Sequence, residues 1–103
     1  MRTSELAGAA LDWAVAKCSF VEGTARSLIA ADVKPYSTSW QEGGPIIERE
    51  RITLVSMPDG TWQSQGRNQR PHFHNPTPLI AAMRCFVASR LGDTVDIPEE
   101  LLD

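Results

Sequence analysis

The sequence contains no long apolar run and no concentration of basic residues. No stretch approaches the about 20 apolar residues that a transmembrane helix needs, and the N-terminus lacks the basic and apolar segments of a signal peptide. We therefore expect a cytoplasmic protein that does not enter a membrane. With 13 acidic and 10 basic residues, the net charge is -3. Because nucleic-acid binding normally requires a concentrated basic surface, this balance disfavours nucleic acid as a partner.

Cysteine is scarce, with only Cys18 and Cys85 in the chain. Each lies in an apolar, helix-like segment, where a reduced thiol behaves as a small hydrophobic side chain. Disulfides are rare in cytoplasmic proteins, so we expect both thiols to be free.

The motifs of common catalytic and cofactor sites are also missing. The chain has no glycine-rich phosphate loop, no nucleophile elbow and no convincingly spaced pair of catalytic carboxylates. We therefore predict no cofactor and no catalytic residue, and the absence of these motifs disfavours an enzyme.

Two histidines stand two positions apart, at His72 and His74. In an extended segment both imidazoles would point to the same side and offer two ligands to zinc. A third ligand would have to come from a distant residue such as Cys18, Cys85 or Glu48, and the spacing does not demand one. We favour a solvated loop and predict no metal site.

The composition that remains is that of a folded protein, with 42% hydrophobic and 22% charged residues. A chain of 103 residues is long enough for one domain, so we assign residues 1–103 to a single domain. So small a domain buries a limited fraction of its surface, which makes a homodimer plausible. Three tryptophans, Trp13, Trp40 and Trp62, are expected to anchor a shared apolar core.

Apolar residues recur at helical spacing over residues 4–18. Thr3 or Ser4 is expected to cap this helix with its side-chain oxygen. The pattern between residues 19 and 41 is weaker and predicts no defined element.

A second helix is predicted over residues 78–91. Thr77 can cap it, Pro78 suits its first position, and Gly92 stands just beyond its last periodic residue. Its apolar face is broad and includes Phe86, so this helix should be buried.

Between the helices, residues 52–63 read as a hairpin around the turn-forming residues Pro58, Asp59 and Gly60. Residues 65–75 are polar and read as an exposed loop or a short edge strand. Residues 36–45 read as an ordered loop, after which Pro45 could open a helical turn. The order of elements predicts an α+β fold in which two helices pack on a small antiparallel sheet.

Three segments carry a family resemblance: SELAGAALDWAVAKC at 4–18, GGPIIERERI at 43–52 and TPLIAAMRCFVASRLGD at 77–93. In order and spacing they resemble the NinX-like proteins of tailed phages and prophages, which are small accessory proteins. The resemblance implies a phage or prophage origin and a place in the bacterial cytoplasm. It supplies no catalytic residue.

The segment from Trp40 to Arg49 is the first candidate binding site. Its glycine pair, Gly43 and Gly44, stands between an aromatic residue and a run of alternating charges. The favoured interpretation is structural, with Trp40 buried, a glycine at positive φ and Glu48 paired with an arginine. The alternative is a binding surface, on which Trp40 is exposed and Glu48 and Arg49 face a concavity.

Arg84 is the second candidate, because it lies within the apolar second helix. We expect it to pair with Glu48 or Asp12 and to clamp the two helices at the rim of the core. The alternative is an arginine presented to an anionic ligand.

Three functions follow from these residues. The leading hypothesis is a non-enzymatic accessory module that binds a host or phage protein, with Trp40, Gly43, Gly44, Glu48, Arg49 and Arg84 as candidate binding residues. The second is a nucleic-acid-associated protein that uses Arg67, Arg70, Arg84 and Arg90. The third is a small ligand-binding or hydrolase domain centred on Trp40, Glu48 and Arg84.

Overall fold

The computed structural model describes residues 1–19, 33–66, 72–97 and 99–101. Its helices are α1 (Gly8–Ser19), α2 (Trp40–Glu50) and α3 (Pro78–Leu91), and its strands are β1 (Thr53–Ser56), β2 (Trp62–Gln65) and β3 (His72–Asn75). Short 3-10 turns occupy Thr3–Glu5 and Glu99–Leu101. The strands form one antiparallel sheet in the order β1-β2-β3. The predicted α+β class is confirmed, and α2 is an additional helix.

The predicted first helix begins later than the sequence suggested. Gly8, the first residue of α1, has a φ of 55°, so the chain turns sharply between the 3-10 turn and the helix. Thr3 does not cap a helix. Its hydroxyl donates a hydrogen bond to the carbonyl of Gly92 at 2.6 Å, and its backbone N–H donates to Asp93 at 2.8 Å. Thr3 therefore fastens the N-terminal segment to the chain that follows α3.

The prediction of a loop over 36–45 is wrong from Trp40 onward, because α2 begins there. Pro45 lies inside this helix instead of opening it. Proline has no N–H to donate to the carbonyl of Gln41 four residues earlier, so α2 lacks one of its backbone hydrogen bonds. Ile46 is 4% exposed and packs into the core, which holds the segment helical against its local propensity.

The predicted hairpin is confirmed as β1 and β2. The N–H of Met57 donates to Thr61 at 2.8 Å, and the N–H of Gly60 donates back to Met57 at 3.1 Å. Gly60 has a φ of 90°. This is the three-residue hairpin loop in which a glycine takes the left-handed position that other residues avoid.

Of the two alternatives for residues 65–75, the edge strand is correct over β3, and the loop favoured for His72 and His74 is wrong. Leu54, Ser64 and Phe73 are aligned across the three strands, and Ser64 and Phe73 are buried. Since side chains alternate between the two faces of a sheet, this row belongs to the face that α3 covers. The opposite face carries exposed residues such as Val55 and His74.

Helix α3 is the central element of the molecule. It packs against α1, α2 and the sheet. Its buried residues lie on nearly every side of the helix: Leu79, Ala81, Ala82, Met83, Cys85, Phe86 and Val87. No described helix is long and apolar enough to cross a membrane.

The expectation of a core anchored by three tryptophans is wrong. Trp13 and Trp62 are half-buried, and Trp40 is exposed. The core is built instead mainly from aliphatic residues and the rings of Phe73 and Phe86, with alanines at several buried positions of α1 and α3. Such small side chains let helices approach closely and leave little space for an indole.

Candidate protein-binding surface

One half of α2 faces away from the core. At helical spacing, its residues are Trp40, Gln41, Gly44, Pro45, Glu48 and Arg49. All of them are exposed except Gly44, which is half-buried. We call this half the α2 surface. It brings together four of the six residues that the sequence singled out for binding.

Trp40 is the most exposed aromatic residue among those described, with 54% of its surface accessible to solvent. It is the first residue of α2, and its ring lies against Gly44. A Cβ on Gly44 would lie 4.0 Å from Cε3 of the indole. The favoured expectation of a buried Trp40 is therefore wrong, because Trp40 lies on the half of α2 that faces away from the core.

Gly43 lies on the opposite, buried half of α2. A Cβ at this position would lie 2.5 Å from the carbonyl oxygen of Tyr36 and 2.7 Å from Cδ1 of Leu79. The expectation of positive φ is wrong, because neither Gly43 nor Gly44 has it. Gly43 is needed for close packing and does not belong to the α2 surface.

The two charges on the α2 surface differ in their contacts. Glu48 is exposed, and in the described part of the chain it pairs with neither Arg51 nor Arg84. Arg49 donates from Nε to Oε2 of Glu50 at 3.0 Å. The α2 surface therefore presents a carboxylate and a guanidinium in its last turns, as well as the exposed indole in its first turn.

Arg84 lies away from these residues and has a structural partner. Its Nε donates to the carbonyl oxygen of Leu6 at 2.7 Å, and burial lowers the pKa of its guanidinium. The prediction that Glu48 or Asp12 would pair with it is wrong. Asp12 instead accepts a hydrogen bond from the N–H of Ser37 at 2.8 Å. The Leu6 carbonyl follows the 3-10 turn, outside any helix, so it is available to accept this bond.

Glu50 joins two arginines that no pattern in the sequence associates. Nη2 of Arg90 lies 3.0 Å from each carboxylate oxygen of Glu50, and Arg49 binds the same group. Both guanidinium groups lie over the ring of Phe86, at 5.3 and 5.7 Å from its centroid. Partial burial would raise the pKa of Glu50, but the hydrogen bonds from the two arginines outweigh it and lower that pKa. Glu50 and Arg90 are 40 residues apart, so only the fold reveals this cluster.

A cavity of about 350 Å³ adjoins the Glu50 cluster. Its lining is formed by Glu50, Ile52, Gly66, Cys85, Phe86, Ser89 and Arg90. The predicted ligand-binding residues Trp40, Glu48 and Arg84 do not line it. Burial raises the pKa of the Cys85 thiol to about 11, so this group stays protonated and unreactive at neutral pH.

The histidine pair lies on β3, where His72 is aligned with Gln65 and His74 with Gln63. His74 is exposed. Within the described residues, no group of three His, Cys, Asp or Glu side chains is placed to hold a metal ion.

A protein-family model matches most of the chain. The model of the family described as Bacteriophage P22, NinX matches residues 2–90. This range includes all three helices and all three strands, apart from the last residue of α3. No curated protein sequence matches the chain.

Proposed function

Because this chain belongs to the bacteriophage P22 NinX family, we propose that it is a phage accessory protein that binds a phage or host protein in the bacterial cytoplasm. The α2 surface is the binding site, and Trp40 is its anchor. The observation that carries this proposal is the 54% exposure of Trp40 on a helix whose other half is buried.

An exposed tryptophan suits a protein interface for a physical reason. Its large apolar ring gains most from leaving water, and its N–H can still donate a hydrogen bond to a partner. Tryptophan and arginine are enriched among the few residues that dominate binding energy. On the α2 surface Trp40 and Arg49 are accompanied by Pro45, which adds rigid apolar area. Glu48 adds a carboxylate that can fix the orientation of the partner.

The nucleic-acid alternative has less support from the described arginines. Arg84 is bound to the Leu6 carbonyl, and Arg90 shares its charge with Glu50. Neither belongs to a free basic surface. Arg67 and Arg70 lie outside the described residues.

The small-ligand alternative required Trp40, Glu48 and Arg84 to form one site. Arg84 makes no hydrogen bond or ion pair with the α2 surface among the described residues. The hydrolase reading of the same trio therefore has no supporting contact.

The test is affinity capture from phage-infected bacteria, followed by titration of the captured protein after purification. We expect Trp40→Ala to raise the dissociation constant by about tenfold or more, as the loss of an interface anchor does. Glu48→Gln should weaken binding less and leave thermal stability unchanged, because Glu48 is exposed.

His74→Ala is the matched control, since His74 is exposed on the sheet and remote in sequence from α2. It should bind the partner as the unmodified chain does. Equal binding by Trp40→Ala and the unmodified chain would overturn the proposal. So would a loss of binding that His74→Ala shows to the same extent.

A further inference from the structure

Among the described residues, strand β1 pairs with β2 alone and therefore forms one edge of the sheet. Thr53, Val55 and Ser56 are exposed, and Val55 keeps 43% of its surface accessible. Sheet edges expose unpaired backbone groups, and proteins usually protect them with charged residues, proline or bulges. The four residues of β1 include neither a charge nor a proline.

The hydrogen bond at the hairpin end shows which groups of β1 are free. Met57 donates its N–H to Thr61, so its backbone faces β2. Backbone direction alternates along a strand, so Val55 also faces β2. Leu54 and Ser56 therefore direct their N–H and C=O groups to the outer edge. No backbone hydrogen bond from another described residue reaches these groups.

We propose that β1 pairs with β1 of a second copy of this chain, in antiparallel orientation about a twofold axis at Val55. Leu54 of each copy then lies opposite Ser56 of the other, and each pair exchanges two hydrogen bonds. The two sheets become one sheet of six strands. The two Val55 side chains, one from each copy, contact each other at the axis, and this contact removes part of their surface from water. This inference does not depend on the function proposed for the α2 surface.

The residues beside β1 select this register. A shift in one direction would place Ser56 opposite Ile52, whose N–H already donates to Ile47 at 3.1 Å. A shift in the other direction would place Leu54 opposite Pro58, which has no N–H. Only the register centred on Val55 uses both backbone groups of both residues.

Charge favours the antiparallel orientation. Arg51 precedes β1 and Asp59 follows it, and both are exposed, so antiparallel pairing brings Arg51 of one copy to the same end of the paired strands as Asp59 of the other. Hydrogen bonds from Thr61 lower the pKa of Asp59, so this carboxylate is ionised at neutral pH. Two pairs of opposite charge thus flank an uncharged strand. The contact is small compared with about 1,600 Å² in a standard interface, so the dimer should be weak and dependent on concentration.

Sedimentation from low to high micromolar concentration is the first test. The unmodified chain should shift from monomer to dimer, and Val55→Lys should raise the dimer dissociation constant about fivefold or more, because it opposes two like charges. His74→Lys is the matched control, since it adds the same charge to the opposite edge strand, β3. It should dimerise normally. A monomer at high micromolar concentration, or a dimer unaffected by Val55→Lys, would overturn the inference.

Disulfide trapping is a second test, which does not rely on a loss of binding. Opposed residues of a non-hydrogen-bonded pair have Cα atoms about 4.5 Å apart, within the range that a disulfide spans. Val55→Cys should therefore give a covalent dimer on mild oxidation, and His74→Cys should not. Burial raises the pKa of the native thiols, Cys18 and Cys85, to about 11, so they should react slowly. Cross-linking of His74→Cys in preference to Val55→Cys would refute pairing through β1.

Discussion

Gly43 and Gly44 are adjacent in sequence but lie on opposite sides of α2. Gly43 is buried where the helix comes closest to Tyr36 and Leu79, while Gly44 lies beside the exposed ring of Trp40. The same side chain added at the two positions therefore meets very different surroundings. Substituting each glycine by alanine therefore distinguishes the cost of a steric clash at Gly43 from the effect of helix propensity at Gly44.

We predict that Gly43→Ala destabilises the protein by about 1–3 kcal/mol, the usual cost of overpacking. The new Cβ would lie 2.5 Å from a backbone oxygen, which cannot move away as a flexible side chain can. Urea denaturation measures the difference.

Gly44→Ala is the control for that prediction. Alanine favours a helix more than glycine does, but the following proline disfavours helical backbone at a residue with a Cβ. These effects oppose each other, so stability should change by less than about 1 kcal/mol. Equal destabilisation by the two variants would show that Gly43 is not required for close packing.

At the scale of an element, the C-terminal end of α2 contains its least favourable backbone conformation. Arg51 has φ 54° and ψ 46°, the left-handed region that usually requires glycine. Its N–H donates to Glu48 at 3.3 Å, and the N–H of Ile52 donates to Ile47 at 3.1 Å. This pair of bonds is the Schellman motif, which ends a helix and turns the chain. Here it leads directly from α2 into β1.

We predict that Arg51→Gly stabilises the protein by about 0.5–1 kcal/mol, because glycine adopts this conformation without steric cost. Thermal denaturation of the two proteins gives the difference. Arg51→Ala removes the same charge but keeps the Cβ, so it should give no such gain. A gain shared by both variants would assign the effect to charge instead of backbone conformation.

At the scale of the whole molecule, Glu50 connects α2 to α3 through Arg90. Its pKa is below the ordinary value of 4.5, so the folded protein binds a proton at this site less readily than the unfolded chain does. The stabilisation is therefore complete above pH 4.5 and is lost as the pH falls through the lower pKa of the folded state.

We predict that Glu50→Gln costs about 0.5–1 kcal/mol of stability at pH 7, as partly exposed ion pairs do. The difference from the unmodified chain should disappear in acid, once Glu50 is protonated in both states. Denaturation curves recorded at pH 7 and at successively lower pH measure this change. Glu48→Gln is the control at pH 7 and should cost less, because Glu48 is exposed and has no ion-pair partner among the described residues. A constant cost of Glu50→Gln at all pH values would show that the carboxylate charge is not its source.

Much of the secondary structure could be predicted from local pattern alone. Helix α3 has the predicted bounds, since a proline begins it and Gly92, with a φ of 85°, stands beyond its last turn. The hairpin follows from Pro58 to Gly60, which specify a turn without help from distant residues. The family was also evident from the sequence, and the match over residues 2–90 confirms it. The ends of α3 and the hairpin turn depend on residues that are neighbours in the chain, so they can be predicted from one sequence.

Helix α2, the exposure of Trp40 and the partner of Arg84 were decided by tertiary structure. A segment with two glycines and a proline has poor helix propensity, and it becomes helical because Ile46 and Gly43 fit against the core. That packing turns Trp40 outward, while α3 directs Arg84 to the Leu6 carbonyl, 78 residues away. The sequence by itself determined the two ends of α3 and the turn of the hairpin, where capping and turn residues act locally. Which residues meet across the molecule depends on packing between elements, and no local pattern records it.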